Sequence, residues 1–392
     1  QLRTRIDGQT YYQRVVFDDY GRIWQKIDAS TNPLSPYGTQ TDYSLEGIPF
    51  QTRELDGQMI QTLLEVNARG QVVYERLHGN RNLTRTRSFD HNSGRLLMLA
   101  AGTDAGSELQ GLTFGYDAHG NLIRKQNRAG LGSNRFDLQE DYRYDSQDRL
   151  TQVFATRING VSRTPGSAAD PRDLNIAYDQ LGNITAKAGI TYGYKNAPGE
   201  TGCSTTAGPH ALSRYQNKFY CFDANGNNTQ VRQSGQVIRS ITYTGDDLAE
   251  RIVRSEGTIQ ADASFRYGPD RARYKRIDNA SGSAAACAET DRIFCSGFED
   301  TGPSTGSSTT YYLGNVEIIQ QGASTQIKRY VGDYLVITRT ENTAGSVLAT
   351  AHAYLLRDHL GSIEVIVNGQ GQVQQRLSFD AYGNRRVADP AG

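Results

Sequence analysis

Tyr116-Asp117-Ala118-His119-Gly120-Asn121-Leu122 is the stretch whose reading decides the fold. An aromatic residue packs well on a pleated sheet and ends a strand. The aspartate that follows can accept backbone N–H groups two residues on, an Asx-turn. Asp at the first turn position and Gly at the fourth is the type I preference, and a left-handed Gly closes a short hairpin with a bulge. The aliphatic residue after Asn starts the return strand. One such unit is strand, turn, strand.

The same frame returns along the chain. It reads Phe17-Asp18-Asp19-Tyr20-Gly21-Arg22-Ile23, Tyr178-Asp179-Gln180-Leu181-Gly182-Asn183-Ile184, Phe222-Asp223-Ala224-Asn225-Gly226-Asn227 and Phe379-Asp380-Ala381-Tyr382-Gly383-Asn384-Arg385. Phe89 to Leu96 carries one extra turn residue, Tyr144 to Leu150 puts Asp148 in the glycine position, and Val66 to Val72 lacks the aromatic. Repetition at irregular spacing predicts an all-β array of antiparallel hairpins with variable loops. The repeated aspartates read as turn formers. No stretch has the alternating acids and terminal Glu of a calcium loop.

Composition agrees. The chain of 392 residues has 23 Tyr, 12 Phe and 41 Gly, a turn-rich all-β balance. Formal net charge is +0, which gives no bulk electrostatic case for nucleic acid or anionic membrane partners. The cations are nearly all arginine, suited to stacking on tyrosine rings. No apolar run is long enough for a transmembrane helix, so no membrane insertion is expected. A stretch at 58–66 is readable as a short helix or a strand. The chain opens and closes mid-pattern, and is expected to be a piece of a longer protein.

The four cysteines, Cys203, Cys221, Cys287 and Cys295, allow three pairings. Proximity favours Cys203–Cys221 and Cys287–Cys295, with free thiols the alternative. Without a C-x-x-C spacing no zinc site is expected. The organisation expected is a repeat array over 1–280, a small-residue-rich insertion over 281–309, possible site of the second disulfide, and a distinct region over 310–392. Segments 157–172 and 197–213 read as long loops. Beyond 310, strands are expected at 311–320, 327–338, 346–356 and 363–367. The stretch Arg357 to Ser362 interrupts them, and Asn368-Gly369-Gln370-Gly371 is a hairpin turn.

Tyr354-Leu355-Leu356-Arg357-Asp358-His359-Leu360-Gly361-Ser362, with Phe379-Asp380-Ala381-Tyr382-Gly383-Asn384-Arg385-Arg386 downstream, resembles the associated core of bacterial RHS-repeat (YD-repeat) proteins. Phe17 to Trp24 and Gly208-Pro209-His210-Ala211 are similar to that family too. The resemblance implies a β-hairpin ribbon wound into a hollow shell, secreted or in the bacterial cell envelope. In toxin systems such a shell encloses a variable C-terminal effector, here the expected partner; in teneurin-like receptors it mediates adhesion. A secretion apparatus or glycans are further expected partners, and the alternative reading is a wall-associated carbohydrate-binding module.

Many family members cleave themselves near an Asp-Pro-x-Gly boundary. Asp389-Pro390-Ala391-Gly392 matches those letters but follows the Phe-Asp-x-Tyr-Gly element directly. The family boundary lies further downstream, so Asp389 is given no protease role.

Asp358 and His359 are the best-looking reactive pair, with Ser362 three residues on and Gly361 between. Neighbours on extended chain alternate faces and do not make a triad. The reading is a turn held by Asp358 and closed by Gly361, with His359 packed on neighbouring hairpins. No catalytic residue, cofactor or metal is expected, and no enzyme activity is assigned.

Overall fold

The structure, a computed structural model, describes residues 2–30, 37–78, 83–103, 106–130, 136–164, 170–195, 203, 207–257, 259–279 and 307–386. Among these there is no helix. A 31-stranded antiparallel sheet runs through the chain, and Ser378–Phe379 with Arg385–Arg386 makes a separate hairpin. Nearly every strand pairs with the next in sequence, so the sheet is one ribbon folded back and forth. The exception is Leu150–Ile158, which pairs both with the short strand Val161–Ser162 and with Leu174–Tyr178. The stretch at 58–66 is a strand, Met59–Val66.

Two turn types shape the ribbon. The repeated aspartate turns put a bulge at the aromatic residue, as between Gly115 and Tyr116. Tight two-residue turns with positive φ close other hairpins, such as Asp7-Gly8 (50° and 81°) and Asn159-Gly160 (47° and 85°), where this backbone matches the right-handed strand twist. These tight turns correct several strand expectations. The run at 311–320 is Ser308–Leu313 and Val316–Gln321, and the run at 327–338 is shared between Ser324–Val331 and Leu335–Asn342. In each, a short Gly-containing turn joins two apolar strands without a polar gap. In the segment at 157–172, the first residues are not loop but the hairpin closed by Asn159-Gly160.

Arg273–Asn279 pairs directly with Ser308–Leu313, so the ribbon is continuous across the insertion. Residues 280–306 lie outside the described residues, and Cys287 and Cys295 with them. The segment Asp389 to Gly392 also lies outside them.

The ribbon winds so that early strands pack on late ones. Ile60, Leu77, Leu83 and Ala101 form one core cluster with Val331, Leu335, Ile337, Tyr354, Leu356, Val365 and Val367. Ile6, Tyr11 and Ala29 pack with Tyr311, Leu313, Val316 and Ile318. Fully burying each such aliphatic side chain contributes about 1.5–3 kcal/mol. The segments 335–338, 354–356 and 364–367 are buried on both faces, since Val336, Leu355 and Ile366 form a second cluster opposite the first. That explains why they read as continuous apolar runs rather than alternating ones.

Candidate functional site

Every repeated aspartate does the same local work. Asp117 Oδ1 accepts the N–H groups of Gly120 and Asn121 at 2.8 Å. Asp179 Oδ1 accepts those of Leu181 and Asn183 at 2.9 and 2.8 Å. Gly21, Gly120, Gly182, Gly226 and Gly383 all have positive φ, and Asp148 takes the same conformation at φ 57°. The residue after the glycine explains itself here. Its side chain reaches the second carboxylate oxygen: Arg22 to Asp18 at 2.7 Å, Asn183 to Asp179 at 2.8 Å, Asn227 to Asp223 at 3.1 Å and Asn384 to Asp380 at 2.8 Å.

These bonds favour the ionised carboxylate. The Arg149 guanidinium, the Asn183 carboxamide and the Asn227 N–H hold Asp145, Asp179 and Asp223 below the usual carboxylate range. A depressed folded pKa means the turn's contribution is complete above the unfolded value near 4 and is lost as pH falls through the folded value. Replacing Asp179 by Asn keeps an Oδ1 acceptor without a titrating group. The variant is expected to lose less melting temperature than the parent between about pH 5 and pH 3, followed by circular dichroism. An equal loss in both proteins would rule the turn out as an acid-sensitive element.

The motif tyrosine links successive units. Tyr144 donates its hydroxyl to the carbonyl of Leu122 at 2.9 Å, Tyr178 to Leu150 at 2.8 Å, Tyr116 to Leu96 at 3.0 Å and Tyr267 to Ala249 at 2.8 Å. Each acceptor is the first residue of a preceding return strand. Tyr144→Phe is expected to cost about 0.5–1.5 kcal/mol, measured as a shift in the urea midpoint, whereas Phe17→Tyr has no such bond to lose.

Asp358-His359-Leu360-Gly361-Ser362 does not break the pattern; it is another copy of it. Asp358 Oδ1 accepts the N–H groups of Leu360 and Ser362, both at 2.9 Å, and Gly361 has φ 85°. Arg357 replaces the aromatic, which hid the copy. Asn368 builds a similar turn with its carboxamide, in which Gly371 has positive φ and Gly369 does not.

This turn is driven into the ribbon. Asp358 Oδ2 lies 3.3 Å from Lys125 Nζ, which also donates to Glu364 Oε1 at 2.8 Å. Gln110 donates to Glu364 Oε2 at 3.0 Å, and Arg386 pairs with Glu140 at 2.6 Å. Lys125, Asp358, Glu364, Gln110 and Glu140 are all buried. Burial opposes the lysine charge, but the carboxylates of Glu364, Asp358 and Glu140 outweigh it and raise Lys125 above the ordinary range.

His359 packs against Phe114 with ring centroids 4.7 Å apart and planes tilted by 47°, and its buried Nδ1 has no partner among the described residues. Burial, then the Lys125 charge, pushes its pKa down to about 4. Asp358 therefore does not orient His359 through Nδ1, and the ring is a neutral packing element.

Phe379, Asp380 and Gly383 sit in the separate hairpin, which Tyr382 ties to Tyr178 through a 2.8 Å hydroxyl contact. Cys203 and Cys221 form a disulfide. Among the described residues no three His, Cys, Asp or Glu side chains are grouped to hold a metal ion, and no helix is long and apolar enough to cross a membrane. Sequence reading missed Lys125 and Glu364. The one signal for them was Ser362, which cannot reach Asp358 Oδ2 as Asn or Arg does elsewhere.

No family model matches the chain, and no curated protein does. Solved structures do. The Tc holotoxin pore of Photorhabdus luminescens with a TccC3 variant superposes with a TM-score of 0.69 at 17% identity, over 96% of this chain and 18% of that one. TcdB2–TccC3 without its hypervariable C-terminal region gives 0.70 at 16% identity, and TcdB2–TccC3–Cdc42 gives 0.68 at 16%, with the same coverage. The chain thus spans less than a fifth of the length of these structures. What the likeness establishes is the fold: an all-β architecture of antiparallel hairpins shared with these Tc toxin structures.

Proposed function

We propose that this chain is a non-enzymatic scaffold, part of a β shell that encloses or presents a C-terminal effector carried by the same protein. The observation that supports it best is the continuous hairpin ribbon superposing over 96% of its length on Tc toxin structures, one of them described by the removal of a hypervariable C-terminal region. In this reading the region 310–392 is the associated core, and its segments 335–338, 354–356 and 364–367, buried on both faces, anchor the winding. The Cys203–Cys221 disulfide fits an exported protein.

The test is limited proteolysis of the full natural protein under native conditions, with fragments assigned by mass. Sequence downstream of Gly392 that survives while exposed loops are cut would support enclosure. Downstream sequence cleaved as fast as a free peptide would reject it. The strand Leu2–Ile6 is paired on one side only among the described residues, and open edges recruit other strands. Residues 1–392 alone are therefore expected to elute from size exclusion as aggregates, and a compact monomer would contradict that.

A further inference from the structure

Of the turns described, the one at Asp358 places a carboxyl carbon in the setting of an acyl-transfer site. Its Oδ1 receives two backbone N–H groups, from Leu360 and Ser362, both at 2.9 Å. Two such donors on one oxygen stabilise the oxyanion of a tetrahedral intermediate. Its Oδ2 is not held by the residue after the turn glycine, because Ser362 stands where Asn or Arg stands in the other copies. That oxygen faces Lys125 Nζ at 3.3 Å instead. Glu364 Oε1 lies 2.8 Å from the same nitrogen, placed to accept and return a proton.

All three side chains are buried, which excludes the water that would reverse an acylation. His359 of the turn packs its ring against Phe114, the two planes tilted by 47°. The contrast within the chain is Asp380. A lysine, Lys187, approaches its Oδ2 only to 3.9 Å, and Asn384 already occupies that oxygen at 2.8 Å.

We propose that Lys125 and Asp358 join in a spontaneous isopeptide bond, with Glu364 as proton carrier. Glu364 takes a proton from the Nζ ammonium and it passes to Oδ2, so that the neutral amine attacks Cγ of a neutral Asp358 carboxyl while the Leu360 and Ser362 amides hold the charge on Oδ1. The Nζ–Cγ bond forms and the Cγ–Oδ2 bond breaks. Two protons from the ammonium end on Oδ2, which leaves as water, and Glu364 returns to its carboxylate. Nothing is oxidised or reduced and no co-reactant is needed. Holding both reactants in place supplies the entropy that makes amide formation feasible without activation. The bond would clamp an early repeat strand to the late turn 233 residues away, restricting the unfolded chain as a long-loop disulfide does.

Intact mass of the purified natural protein, reduced and denatured, tests this. The expected mass is lighter than the sequence by one water. Tryptic digestion should yield a branched peptide in which residues 125–128 are attached to the first residue of 358–376, because a modified Lys125 resists cleavage. Lys125→Arg keeps the charge and is expected to show the full mass. Glu364→Gln is expected to show mostly uncrosslinked protein that converts slowly. Soluble wild-type protein of full mass, with trypsin cleaving after Lys125 and 358–376 recovered unbranched, would overturn the proposal.

Discussion

Replacing Lys125 with methionine is expected to destabilise the protein by about 3–5 kcal/mol, the largest effect of any single charge change proposed here. Until any bond forms between them, the lysine is the cation between two buried carboxylates, Asp358 at 3.3 Å and Glu364 at 2.8 Å. Removing it leaves both charges in a water-excluded site. Asp358 keeps its backbone donors, and Glu364 keeps the Gln110 hydrogen bond and the more distant charge of Arg376. Lys125→Met with Glu364→Leu should therefore recover part of the loss, since an apolar replacement of a whole buried pair is often near neutral. Urea midpoints of the three proteins check this. If the single variant unfolds at the parent's midpoint, the cluster does not hold the turn against the early strands.

Leu356→Ala is expected to cost about 2–5 kcal/mol. Leu356 is fully buried in the cluster that joins Ile60, Leu77 and Leu83 to Val331, Ile337 and Val365. Shortening it opens a cavity at the seam between the first and last parts of the ribbon, where neighbours on both sides are fixed by sheet pairing and relax little. Leu360→Ala is the control. That side chain is 67% exposed, and its loss should stay within about 0.5 kcal/mol. Equal shifts in the two variants would mean that the seam is not a packed core.

The hairpin ribbon was legible because each turn is local. Asp117, Gly120 and Asn121 carry their own instructions, and the bulge and positive φ follow from five residues. Turns without that signature were less legible. Gly314 and Gly332 close hairpins inside apolar runs, so pairs of strands read as single ones. The turn held by Asp358 and closed by Gly361 was legible, but Arg357 in the aromatic position hid its kinship with the repeats. The winding was not legible in the residues themselves; only the family resemblance implied it. Nothing near Lys125 says that it meets Asp358 and Glu364, because the pairing depends on how many hairpins, and of what twist, lie between them.

The proposed scaffold function requires that the ribbon close as a shell around something else. A cryo-EM reconstruction of the full natural protein tests that most directly. The predicted result is a continuous hairpin wall, with the Asp358 turn against the Lys125 strand and added density from downstream sequence inside the wall. An open ribbon with its downstream sequence outside would contradict it.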